Sequence, residues 1–457
     1  MSGDRMMVVS LDCHIDAESP RTFEPYVEAA FKDDFEEWVA QVAQTPTFDE
    51  MLEGQLAKDY MALRGKATAE FFERMGYDEE TYRARVYSTM SMTGDPSVRL
   101  KELEADGIVA EILFPNGLAP MGSASFASAE ASDDPKRREV VRAGVMAYNR
   151  WIADICNAHP GRRVGTAILP AIYDVADVVD MMTWAKNAGI GAVTCPSPMV
   201  PGLPPLWDDY YEPIWAASAD LDLPLQCHLG WGGAAFTESL MPGVLGGRGE
   251  GMGERITRLM IKSEAYFFSR RALWILTWSG AFDRYPNLKL MFVEQLADWV
   301  PNTLRFLDGV NGRHNHLGVD EMSKGHVLQR KPSEYWVDHC MVAASFISRG
   351  EVAMRDEIGI QNLAFGTDYP HPEATWPTTK AWLNGAFSGQ GVSEQDARLI
   401  LGENAVRFYN LDQQQLQAVA NEVGPTVDEV LVPEKTVSPE LQAWMESREL
   451  NRLVASV

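Results

Sequence analysis

The chain has 457 residues, 46% of them hydrophobic and 23% charged, a balance that fits a folded globular protein and excludes disorder throughout. A formal net charge of -25 sets the surface against phosphate backbones and anionic lipid, so the expected partner is a small molecule rather than nucleic acid or membrane. Five scattered cysteines without a CxxC pair disfavour a disulfide framework and a thiolate zinc site, and the start MSGDRMMVVSLD carries no secretory core; a cytoplasmic protein is the expectation.

In chain order, the first element is the apolar run 6–12, closed by Asp12-Cys13-His14. Side chains two apart on a strand face the same side, so a carboxylate and an imidazole point at one spot, while Cys13 faces the other way. Residues 15–106 are too many for an ordinary loop and must carry structure of their own. Helical patterns at 31–42 and 67–75 fall there, and 17–95 is expected to form a cap or a dimer contact. Arg99 precedes the second strand and could fork onto a substrate carboxylate or pair with Glu102 or Glu104.

Strands follow at 109–114, 164–169, 192–195, 224–228, 288–294, 336–343 and 363–368, alternating in places with helices at 174–188, 210–221, 301–307 and 394–409. Near-continuous apolar strands that alternate with helices imply a parallel sheet buried on both faces, and eight such units imply an α/β (β/α)8 barrel over residues 1–410. The glycine-rich stretch 230–253 reads as a lid loop. Residues 411–457 read as a C-terminal arm with helices at 426–431, opened by a Thr426/Glu429 capping box, and at 439–453. The excursions make a homodimer the expected assembly.

Chemistry in such a barrel sits at the C-terminal strand ends. Asp12 and His14 end strand 1, His228 strand 5, Glu294 strand 6 and Asp368 strand 8. Oxygen and imidazole donors without thiolate suit a divalent zinc, manganese or iron ion. His371 lies three residues beyond Asp368, within reach of a substrate. His339 reads as a satisfied core histidine, and His159, His314, His316 and His326 as surface residues. Trp231, Trp299 and Trp376 fall near site loops, where aromatic walls would suit a hydrophobic or aromatic ligand.

Through SLDCHID, LEADGIVAEILFPN, LPLQCHLG, RYPNLKLMFVE, FGTDYPHPEATWP and ILGENAVRFYNL the chain resembles the amidohydrolase-related, metal-dependent barrel enzymes that include amino-carboxymuconate-semialdehyde decarboxylase and the resorcylate-type decarboxylases. The resemblance covers most of residues 6–410. It implies a distorted barrel with a metal held by Asp12, His14, His228 and Asp368. Where the decarboxylase relatives carry a histidine on strand 6, this chain has Glu294, which could serve as general base or as a further ligand. The implied activity is hydrolysis or non-oxidative decarboxylation of a small organic acid, with Glu294, His371 and Asp368 as catalytic groups. The same inventory is large enough for two ions, so a non-haem di-iron oxygenase is the alternative, and a non-catalytic binding barrel is the third reading.

Overall fold

A computed structural model describes residues 5–44, 73–78, 81, 96–116, 119–122, 131–198, 200, 202–232, 264–317, 327–371 and 374–433. The expected lid beyond Gly232, the helix at 67–75 apart from its last three residues, and the helix at 439–453 lie outside the described residues. Eight strands run parallel in one sheet: β1 Val9–Ile15, β2 Ala110–Pro115, β3 Arg163–Ala167, β4 Ala192–Thr194, β5 Leu225–His228, β6 Leu290–Val293, β7 Cys340–Ser345 and β8 Leu363–Gly366. Each pairs with the next in sequence. The ring closes just past the last strand, where Asp368 N donates to Asp12 O (2.8 Å) and His14 N to Tyr369 O (2.7 Å).

Helices α1 Lys32–Val42, α2 Pro96–Ala105, α3 Pro135–Asn157, α4 Val175–Asn187, α5 Glu212–Asp220, α6 Arg271–Trp278, α7 Val300–Leu317, α8 Pro332–His339 and α9 Thr379–Phe387 are placed along the chain around these strands. The expected start of α4 holds: the Asp174 carboxylate accepts from Ala176 N and Asp177 N, two of the donors that a helix start leaves open. Two buried apolar clusters follow from strand alternation. One fills the barrel with Val9, Leu11, Ile112, Phe114, Val164, Met291, Val293 and Met341; the other packs the outward faces against the helices.

Two elements differ from expectation. The apolar run at 336–343 was expected to be one strand, but 332–339 is helical and β7 starts only at Cys340. Pro332 opens that helix, and Tyr335, Trp336 and His339 are its buried face, a 3.6-residue spacing running straight into a period-two strand. A helix not foreseen, α10 Gln413–Val423, buries Leu416 and Ala420 in the barrel-filling cluster. Its N-cap Asp412 was the legible signal. The following α11 Val427–Leu431 carries the expected Thr426/Glu429 capping box.

Candidate metal centre

β1 delivers two ligand types because its phase slips. Val9 and Leu11 point into the barrel, so strict alternation would send Cys13 inward next. The β1–β2 register shifts between Ser10 and Cys13, and this bulge turns Cys13 out to the helix layer, leaving Asp12 and His14 to face the interior. Bulges commonly re-aim side chains beside sites.

The Asp12 carboxylate oxygen Oδ1 then lies 3.5 Å from His14 Nε2 and 3.4 Å from His228 Nε2. His14 Nε2 is also 3.5 Å from Asp368 Oδ1, and His228 Nε2 is 3.7 Å from Glu294 Oε2. The two Asp12–imidazole separations are at or beyond the limit of a hydrogen bond, and Asp12 Oδ1 is buried without a hydrogen-bond partner. They match the roughly 3.4 Å between two ligands that each stand about 2.1 Å from a tetrahedral ion. Ligand atoms of Asp12, His14, His228 and Glu294 all lie within 4.8 Å of one another, as do those of His14, Asp368 and His371. The donor set and spacing fit a divalent cation.

Surrounding contacts orient these groups. Nδ1 of His14 faces Pro115 O at 3.4 Å and Nδ1 of His228 faces Leu229 O at 3.0 Å. A carbonyl only accepts, so Nδ1 carries the proton in each ring and Nε2 is left as the ligand atom. Ser345 Oγ on β7 donates to the other Asp12 oxygen, Oδ2. His371 Nδ1 lies 2.7 Å from Asp368 Oδ1, and its ring stacks on His14 with centroids 4.1 Å apart. Gly366 on β8 has no room for a side chain, since a Cβ there would stand 2.7 Å from Asp12 Cβ. Both strand-end acids, Glu294 (φ 55°) and Asp368 (φ 60°), adopt left-handed backbone, a costly conformation for residues other than glycine that concentrates at functional sites.

Burial raises the Glu294 carboxyl well above the ordinary range, with the Asp368 and Asp12 carboxylates adding to it against His228 and His371. Burial also holds His14 well below its usual value, helped by His371 and His228. At His228 burial works downward, but Asp12 and Glu294 outweigh it and raise the imidazole.

All six residues singled out from sequence, Asp12, His14, His228, Glu294, Asp368 and His371, meet here. Other expectations need correction. Arg99 is buried and committed: Nε donates to Glu111 Oε2 (2.7 Å) and Nη1 to His14 O (2.6 Å), so it serves the scaffold, with neither Glu102 nor Glu104 as its carboxylate. Trp231 donates to the carbonyls of Cys195 and Pro196, and Trp299 packs on Phe292 and Trp336; these two are packing residues, while Trp376 is buried with its ring on Tyr369, the neighbour of Asp368. His339 is the expected core histidine, with Nδ1 2.8 Å from Leu288 O and its ring on Phe282. Sequence reasoning missed Ser345 and Phe114. The Phe114 ring lies 5.0 Å from His228 and 6.0 Å from His14, and its period-two place after Ile112 was the available signal.

A family model described as amidohydrolase matches residues 117–411. No curated protein sequence matches the chain at a significant level. Among solved structures, an amidohydrolase from Mycobacterium avium subsp. paratuberculosis superposes with TM-score 0.59 at 17% identity, over 88% of this chain and 99% of the other. The 5-carboxyvanillate decarboxylase of Sphingomonas paucimobilis gives 0.56 at 16%, over 89% and 100%. A dihydroxybenzoic acid decarboxylase from Polaromonas sp. JS666, with bound manganese and the inhibitor 2-nitroresorcinol, gives 0.54 at 17%, over 90% and 99%. At these identities the likeness is one of fold.

Proposed function

The chain belongs to the amidohydrolase family, and from that premise we propose that it is a divalent-metal enzyme acting on a small aromatic or hydrophobic organic acid, by non-oxidative decarboxylation or by hydrolysis. The observation that carries the reading is Asp12 Oδ1, buried without a hydrogen-bond partner 3.4–3.5 Å from two imidazole Nε2 atoms. Asp12, His14, His228 and Asp368 would hold the ion, whose positive charge would polarise a substrate oxygen. The decarboxylases among the structural neighbours, one of them with manganese and a nitroresorcinol, support the choice of substrate class.

The chain's own residues do the rest. Glu294 holds a proton at its carboxyl above the ordinary range and is suited to give or take one beside the reacting carbon. His371 fixes Asp368 through its 2.7 Å contact. Five buried thiols support a reducing compartment, the cytoplasm, and exposed Trp207, Phe267 and Phe306 offer faces for a homodimer; among the described residues no helix is long and apolar enough to cross a membrane.

A second reading rests on the number of donors gathered here, Asp12, His14, His228, Glu294, Asp368 and His371, an inventory large enough for two ions and so for the oxygenase alternative, with Nε2 of His14 serving one of them. The deciding experiment is an anaerobic assay of metal-loaded protein against a panel of hydroxybenzoates and their anilides, following carbon dioxide and ring products. The proposal expects turnover without dioxygen that chelator removes and manganese or zinc restores. Turnover that needs dioxygen and electrons would contradict it in favour of the oxygenase.

A further inference from the structure

Among the described residues beyond the ligands, the end of β2 holds a buried amide with an unpaired donor. Asn116 directly follows β2 and is 4% exposed, yet its Nδ2 has no hydrogen-bond partner. A buried donor left unmade costs about 1–3 kcal/mol, so such a group is either a defect or a contact awaiting a ligand.

Its place in the fold decides between these. On β2 the side chains of Ala110, Ile112 and Phe114 all enter the barrel-filling cluster. Period two carries Asn116 to the same face, about 6.6 Å farther toward the mouth than Phe114. Phe114 touches both liganding imidazoles, and the carbonyl of Pro115, the residue between, faces His14 Nδ1. Extending the β2 alternation by one step thus directs Asn116 toward the side of the mouth where the first-strand ligands stand.

We infer that Asn116 is a substrate-recognition residue, its amide donating to an oxygen of the bound organic acid. The assignment rests on the functional reading above and deepens it. The chemistry favours a neutral donor at this position. Asp12, Glu294 and Asp368 crowd the mouth with carboxylates, and a guanidinium placed there would be captured by them, as Glu111 captures Arg99 and Arg163. An amide cannot be captured in that way, and it offers hydrogen to an acceptor oxygen of the acid that the cation does not take.

The test titrates manganese-loaded protein calorimetrically with benzoate, 2-hydroxybenzoate and 2,6-dihydroxybenzoate. It compares wild type, Asn116→Ala and the near-isosteric Asn116→Leu, and records metal content and melting temperature for each. The inference expects both variants to keep the wild-type metal content and to bind the acids about tenfold or more weakly, the loss typical of a hydrogen bond to a charged group. It also expects Asn116→Leu to melt at or above the wild type, because the unmade donor is gone. Variants that bind the acids as the wild type does, or that lose binding only together with metal or with folding stability, overturn it while leaving the functional reading intact. Failure of all three acids to bind the wild type overturns the functional reading, and this assignment falls with it.

Discussion

Glu294 and His371 divide the work that the ligand cluster leaves over, and substitution separates their parts. Glu294→Gln keeps the shape and removes the transferable proton; kcat is expected to fall about 10²–10⁴-fold while metal content stays at the wild-type level, as measured by turnover and elemental analysis on one preparation. His371→Ala removes the 2.7 Å contact to Asp368 and the stack on His14. The expected result is an apparent metal affinity lowered about 10–100-fold, read by competition with a fluorescent chelator. A Glu294→Gln protein as active as the wild type would contradict the proton role. At this scale the sequence was informative, because an Asp-x-His pair, a strand-end histidine and two strand-end acids announce themselves by residue type. It was silent on Ser345 and Asn116, since a serine or an asparagine becomes a site residue only through what the fold sets beside it.

The loop after β6 is the element on which Glu294 depends. Two of its residues, Glu294 and Leu296 (φ 57°), are left-handed, and the bonds that hold it include four that involve side chains. Gln295 Nε2 donates to Cys227 O at 2.7 Å, Arg270 Nη2 to Gln295 O at 3.2 Å and Trp299 Nε1 to Leu296 O at 3.1 Å. The fourth is Ala297 N to the buried carboxyl of Glu351 at 2.6 Å, a group that also accepts from Ser348 N and Oγ. Burial pushes Glu351 up to about 7 despite those three donors. An acid raised in the folded state binds its proton more tightly there than in the unfolded chain, so its contribution to stability is intact below about pH 4.5 and is lost as pH rises toward 7. Urea unfolding at pH 5 and pH 8 should therefore show Glu351→Gln gaining on the wild type at the higher pH; an identical difference at both pH values would contradict the raised value. The elements themselves were largely legible as apolar runs between turn signals. The phase slip in β1 was not, because a bulge is set by pairing with β2 and has no composition of its own. The helix–strand junction at Cys340 was hidden for a different reason: both elements are apolar, and only the change of period marks the boundary.

For the molecule as a whole, eight apolar runs alternating with helical patterns were enough to predict the barrel, and the parallel order β1 through β8 bears that out. The motifs pointed to the family that the match over residues 117–411 establishes. What alternation could not convey is closure, which depends on single bonds between the first and last strands: Ser10 Oγ to Thr367 Oγ1 at 2.8 Å, and Asp368 N to Asp12 O. The same bonds bring the first and eighth strand ligands together, so the site is assembled by the act of closing the ring. The measurement that tests this account most directly is elemental analysis of protein purified without chelator, beside a His228→Ala variant with an unchanged circular dichroism spectrum. The account predicts at least one divalent transition metal per wild-type chain and a marked loss in the variant. A wild type without stoichiometric metal, or a variant that keeps all of it, would contradict it.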